Sequence, residues 1–130
     1  MKIKIIQIID FPRVYEKIKK YTLPIKIAYC FSKLNAEIEK NLDFYQESTL
    51  KIVEKYGDRD ESNSLIPGDG GRGVKIKQDK IEDCQKEINE LLSFEVDINC
   101  EAISLEALEA IENFSLTVED MQILMPFICV

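Results

Sequence analysis

Asp58, Asp60 and Ser62 occupy the first, third and fifth positions of a possible calcium loop, where oxygen ligands would gather around a hard cation. The sixth position is Asn63, where the sharp turn wants glycine, and the twelfth is Asp69, where a bidentate glutamate is expected. Both departures fall at the most demanding positions and argue against calcium. Shortly afterwards Gly68, Gly70 and Gly73 satisfy GxGxxG. A dinucleotide site needs a strand before such a loop and a helix after it, so that phosphate meets a helix N-terminus. Here a polar segment precedes and an alternating VKIK follows. Asp58, Asp60 and Arg72 therefore stand only as ligand candidates of a flexible loop, with Arg72 suited to an anion. No metal site and no cofactor is expected.

The chain holds no histidine, which removes Ser-His and Cys-His catalysis, imidazole metal ligands and a histidine pH switch. Its four cysteines, Cys30, Cys84, Cys100 and Cys129, have neither zinc-knuckle nor redox-motif spacing. Cys30 and Cys129 lie among apolar neighbours, and all four are expected to be buried free thiols acting as small hydrophobes. No serine sits in a nucleophile elbow, and 24 acids give too many chance carboxylate pairs to single out one. The chain reads as non-enzymatic.

These residues must be positioned by a chain of 130 residues, about one domain, with 45% hydrophobic and 32% charged residues. A single α+β domain over 1–130 is expected. It should hold a long central helix and shorter helices packed on a small, mainly antiparallel three-stranded sheet. Helices should supply more than half of the ordered residues.

Residues 2–9 (KIKIIQII) read as a strand, and Pro12 opens a helix running to about Tyr21. Thr22 can cap a second helix, with Pro24 in its first turn and Gly57 stopping it. Phe31, Ile38, Tyr45 and Ile52 recur every seven residues along it. An unbroken helix of that extent would measure about 50 Å. Two readings stay open: a core helix broken once near Asn41 or Ser48–Thr49, or a projecting helix whose heptad stripe pairs with a second copy.

Residues 57–73 form the one clear loop, Asp79 to Ser93 has helical spacing, and Phe94 to Ile98 alternates. Ser104 begins a further helix carrying Leu105, Leu108 and Ile111. Thr117 with Asp120 resembles a capping box of a last helix that ends before Pro126. Lys2, Lys4, Lys75 and Lys77 lie on the polar faces of two strands, and Glu95 and Asp97 on that of a third. Opposite charges facing each other stabilise a sheet modestly, which predicts the acidic strand between the two basic ones.

The net charge of −7 conceals a gradient. Residues 1–30 carry seven cations against two acids, and residues 82–130 set Lys86 alone against twelve acids. The two ends read first as solvated faces, and could also satisfy each other within one fold or between subunits. Direct nucleic-acid binding is not expected, because the basic surface is confined to the short N-terminal third. Lys2 and Lys4 interrupt the opening apolar run, so neither a signal peptide nor a membrane span is expected, and the chain reads as cytoplasmic and reduced.

The opening MKIKIIQIIDFPRVYEKIKKYTLPIKIAYCFSKL, the FYQ of Phe44–Gln46 and the VEKYGDRDES around Gly57 resemble a family of small uncharacterised bacteriophage and prophage proteins of Gram-positive bacteria. KIEDCQKEINEL and LTVEDMQILMPFI fit the same family, and the glycine loop diverges most. The resemblance implies a phage-encoded protein in the cytoplasm of a bacterial host, and supplies no catalytic residue. The expected function is that of a protein–protein interaction module, homo-oligomeric or bound to a host or phage protein. It would aid phage assembly or modulate a host factor, with Phe31, Ile38, Tyr45 and Ile52 as interface. Two other classes stay open: an acidic nucleic-acid mimic inhibiting a host defence protein, and a small-ligand or metal binder using the 57–73 loop.

Overall fold

The computed structural model describes residues 1–130, of which 58% are helical. The chain forms two compact units. Unit 1 comprises Met1–Leu42 and Glu95–Val130, and unit 2 is the intervening Asp43–Phe94.

Unit 1 opens with β1 (Lys2–Lys4), which pairs antiparallel with β2 (Glu95–Asp97). Lys2 faces Asp97 and Lys4 faces Glu95, so the acidic strand does take a basic partner. The expected strand over 2–9 nevertheless stops at Lys4 and becomes a 3-10 turn over Ile5–Gln7. The reason lies in side-chain direction. Ile5 and Ile8 are both fully buried while Ile6 is 57% exposed, and a strand with period two would send Ile5 and Ile8 to opposite faces. The Gln7 side chain also accepts the Lys4 N–H at 2.9 Å, which draws the backbone out of extension.

α1 (Phe11–Ile18) follows, with Pro12 in its first turn and Phe11, Val14 and Ile18 buried at helical spacing. α2 runs unbroken over Ile25–Tyr56, 32 residues. Thr22 does not cap it; the Pro24 carbonyl accepts its first bond, from Ala28 N at 2.9 Å. After β2 come β3 (Ile103–Ser104), α4 (Leu105–Glu109), α5 (Val118–Leu124) and β4 (Ile128–Cys129). β3 and β4 pair in parallel, which α4 and α5 permit by carrying the chain back across. Ser104 caps α4 through its hydroxyl, and α4 ends at Glu109, short of Ile111. The Thr117–Asp120 capping box is complete, with both reciprocal bonds present.

The three-stranded sheet is therefore replaced by two separate two-stranded ones, one antiparallel and one parallel. The second lysine segment, 74–77, belongs to unit 2 and spends its backbone groups there. Asp58 N–H donates to Lys75 O at 2.7 Å, Lys75 N–H to Ile66 O at 2.8 Å, and Ile66 N–H to Asp58 O at 2.9 Å. Three chain segments thus close a ring of three hydrogen bonds. Buried or half-buried backbone groups must find partners, and here they find them within the loop. The 57–73 segment is held by this ring rather than left as a free excursion.

Unit 1 has a dense centre. Phe11 and Phe127 meet edge to face at 5.5 Å, and Ile3, Phe31, Leu34, Ile38, Ile98 and Leu124 are buried with them. Unit 2 is different: Cys84 is its only buried hydrophobic side chain. Its second helix, α3 (Ile81–Leu92), is tied to α2 by Lys55 Nζ on Glu87 Oε1 at 3.0 Å.

Candidate functional site

The apolar side chains of unit 2 that lack a core instead line a groove. α2 supplies Tyr45, Thr49 and Val53, four residues apart and so on one face, with Leu50 beside them. α3 supplies Ile81, Cys84 and Ile88, again at helical spacing. Val74 and Ile76, alternate residues of the VKIK segment, close the third side. The groove has a volume of about 470 Å³. Leu50 is 56% and Ile81 53% exposed, which places large aliphatic groups in water at its edge. The Thr49 hydroxyl is covered and has no hydrogen-bond partner.

Three local features hold this arrangement. Gly57 lets the segment after α2 turn directly onto Leu65, since a Cβ there would come within 2.6 Å of Leu65 Cδ2 and 2.9 Å of Val53 O. Close approach, not a left-handed backbone, is what requires glycine at the end of α2. Lys55 pairs with Glu87 and holds its carboxyl below the usual range, Tyr56 adding to the effect. Phe44 and Phe94 stand 6.2 Å apart at the two ends of unit 2, both partly exposed. Burial pushes the Cys84 thiol above its ordinary value, so it behaves as part of the apolar wall.

The heptad stripe is divided between the two units. Phe31 and Ile38 are 2% and 0% exposed in the core of unit 1, so they offer no open seam to a partner. A helix face already packed on its own fold cannot also form a coiled coil. Tyr45 lines the groove, and Ile52 is half-buried outside the groove lining.

The loop candidates do not converge either. Asp60 Oδ1 accepts the N–H groups of Ser62 at 2.9 Å and Ser64 at 3.0 Å, fixing a tight turn in which Asn63 takes φ +63°. Asp58 Oδ1 accepts from Arg59 N at 3.0 Å, and its Oδ2 lies 4.0 Å from Lys75 Nζ. Arg72 is exposed and makes no ion pair. These side chains shape the loop, and no cluster of three or more His, Cys, Asp or Glu side chains is arranged to hold a metal.

Sequence reasoning missed Leu50, Val53, Ile81 and Ile88. The signals were present in the Tyr45–Thr49–Val53 spacing and in the alternation of Val74 and Ile76. They stood on three separate segments, and nothing local says that the three face one another.

Within unit 1, part of the basic start meets part of the acidic end. Arg13 bonds Glu119 at 3.2 Å, Lys17 bonds Asp120, and the Lys2 and Lys4 positions face Asp97 and Glu95. No helix is long and apolar enough to cross a membrane. No protein-family model, curated protein or solved structure matches the chain.

Proposed function

We propose that this chain is a non-enzymatic protein–protein interaction module, with the groove of unit 2 as its working surface. The observation that supports this reading is the near absence of a buried core in unit 2 beside a groove edged by exposed Leu50 and Ile81. Burying a large aliphatic side chain is worth about 1.5–3 kcal/mol, so a partner covering this groove recovers stability that the unit by itself lacks. The occupant that fits is a second copy of the chain. Leu50 is both an exposed knob and a wall of the groove, so two copies related by a twofold axis offer each other the same knob and the same hole. On this reading the protein is phage-encoded, acts in the cytoplasm of a bacterial host, and presents its paired form to phage assembly or to a host factor.

The acidic-mimic reading draws less support, because Asp120 is buried against Lys17 and Glu119 is paired with Arg13.

Sedimentation velocity of wild type and Leu50→Asp tests the proposal. The wild type is expected to sediment as a dimer at micromolar concentration, and the variant as a monomer with an unchanged helical spectrum. A monomeric wild type, or a variant that still dimerises, overturns the groove as the self-association surface.

A further inference from the structure

A second cavity, of about 540 Å³, opens in unit 1 between the first turns of α2 and the segment leaving β2. Two of the four cysteines share its wall: Cys30 from α2 and Cys100 from the segment after β2. Both are partly exposed, whereas Cys84 is buried in unit 2 and Cys129 lies on β4 outside this cavity. The Met1 amine and Lys33 line the same space, as do Glu101 and Asp97, the latter paired with that amine at 3.4 Å. Cations beside a thiol favour the thiolate that attacks sulfur.

We propose that Cys30 and Cys100 are a thiol–disulfide exchange site, forming a reversible bond across this cavity at the expense of a small disulfide such as oxidised glutathione. One cysteine gives up its proton and attacks a sulfur of the small disulfide, forming a mixed disulfide and expelling one thiolate. The second cysteine, deprotonated in turn, attacks the protein sulfur of that mixed disulfide and expels the other thiolate. Two protein thiols are oxidised, one small disulfide is reduced to two thiols, and nothing else is consumed.

The placement in the chain gives the bond a consequence. Cys30 precedes Asp43 and Cys100 follows Phe94, so the bond closes the polypeptide around the whole of unit 2. Closing a long loop restricts the unfolded chain more than a short one does. Burial pushes the Cys100 thiol up, with the Met1 amine and Lys33 pulling the other way. This site is independent of the unit 2 groove.

The test incubates the full-length, fully reduced chain with oxidised glutathione, then measures intact mass and maps peptides without reduction. The expected result is a chain two hydrogens lighter, a linked pair of peptides containing Cys30 and Cys100, and a higher Tm that dithiothreitol reverses. Cys84→Ser and Cys129→Ser should leave the link intact. Cys30→Ser should leave Cys100 carrying a single glutathione. Separate glutathione adducts on Cys30 and Cys100, a link through Cys84 or Cys129, a link between two chains, or no reaction overturns the proposal.

Discussion

Lys17 Nζ lies 2.9 Å from Oδ2 and 3.1 Å from Oδ1 of Asp120, a carboxylate 1% exposed and 103 residues further along the chain. The same carboxylate accepts the Thr117 N–H at 3.4 Å, closing the capping box of α5. One side chain thus fastens the start of α5 and ties it to α1.

That pairing sets an acid limit on stability. Lys17 holds the Asp120 carboxyl below its ordinary value against the opposing effect of burial, with Thr117 assisting. A depressed folded-state pKa means the unfolded chain binds the proton more readily. The stabilisation is therefore complete above the unfolded value, about 3.9, and is lost as pH falls through it toward the folded value. Tm followed from pH 7 down to pH 3 should drop on the acid side. Asp120→Asn should start from a lower Tm and show a flatter acid limb. An unchanged acid limb would show that other carboxylates control it.

Opposed charges across β1 and β2 should be exchangeable. Lys4→Glu puts two acids opposite each other at Glu95 and is expected to cost about 0.2–1 kcal/mol in urea unfolding. The double variant Lys4→Glu with Glu95→Lys should recover most of that loss. A double variant no better than the single would place the effect outside the pair.

Gly57 and Gly71 should fail for different reasons. A Cβ at Gly57 meets the Leu65 methyl, which can move, and the Val53 carbonyl, which cannot. Gly57→Ala is expected to cost about 1–3 kcal/mol through overpacking. Leu65→Ala on that background should recover part of the loss and no more. Gly71 faces open space but has φ +74°, so Gly71→Ala costs roughly 1–2 kcal/mol of backbone strain that no neighbouring substitution relieves.

Thr117→Ala should cost about 1 kcal/mol, because the N–H of Asp120 loses the hydroxyl it donates to at 3.1 Å. Thr117→Ser should behave as wild type. Equal losses in the two variants would show that the methyl group, not the cap, is what matters.

Local signals were readable in the sequence wherever the cause lies within a few residues. Pro12 marks the start of α1, and the Thr117–Asp120 spacing marks α5 with its cap. The run without glycine or proline marks α2, because a hydrogen-bonded helix continues until something interrupts it. The alternating lysines and acids of β1 and β2 foretold their pairing, since facing charges act at one register position at a time. The third strand was not readable as such. VKIK alternates as a strand should, yet period two says only that a segment is extended, not which segment accepts its hydrogen bonds.

The sequence by itself determined the helix-rich α+β composition, the absence of histidine chemistry and the charge gradient from a basic start to an acidic end. Only the tertiary structure decided how the heptad stripe is shared. Phe31 and Ile38 went to the core of unit 1 and Tyr45 to the groove of unit 2, a division that a regular repeat cannot reveal. It also put Cys30 and Cys100 on the wall of one cavity and buried Asp120 against Lys17. Such pairs are set by packing between distant segments, and residues that far apart carry no periodic signal of each other.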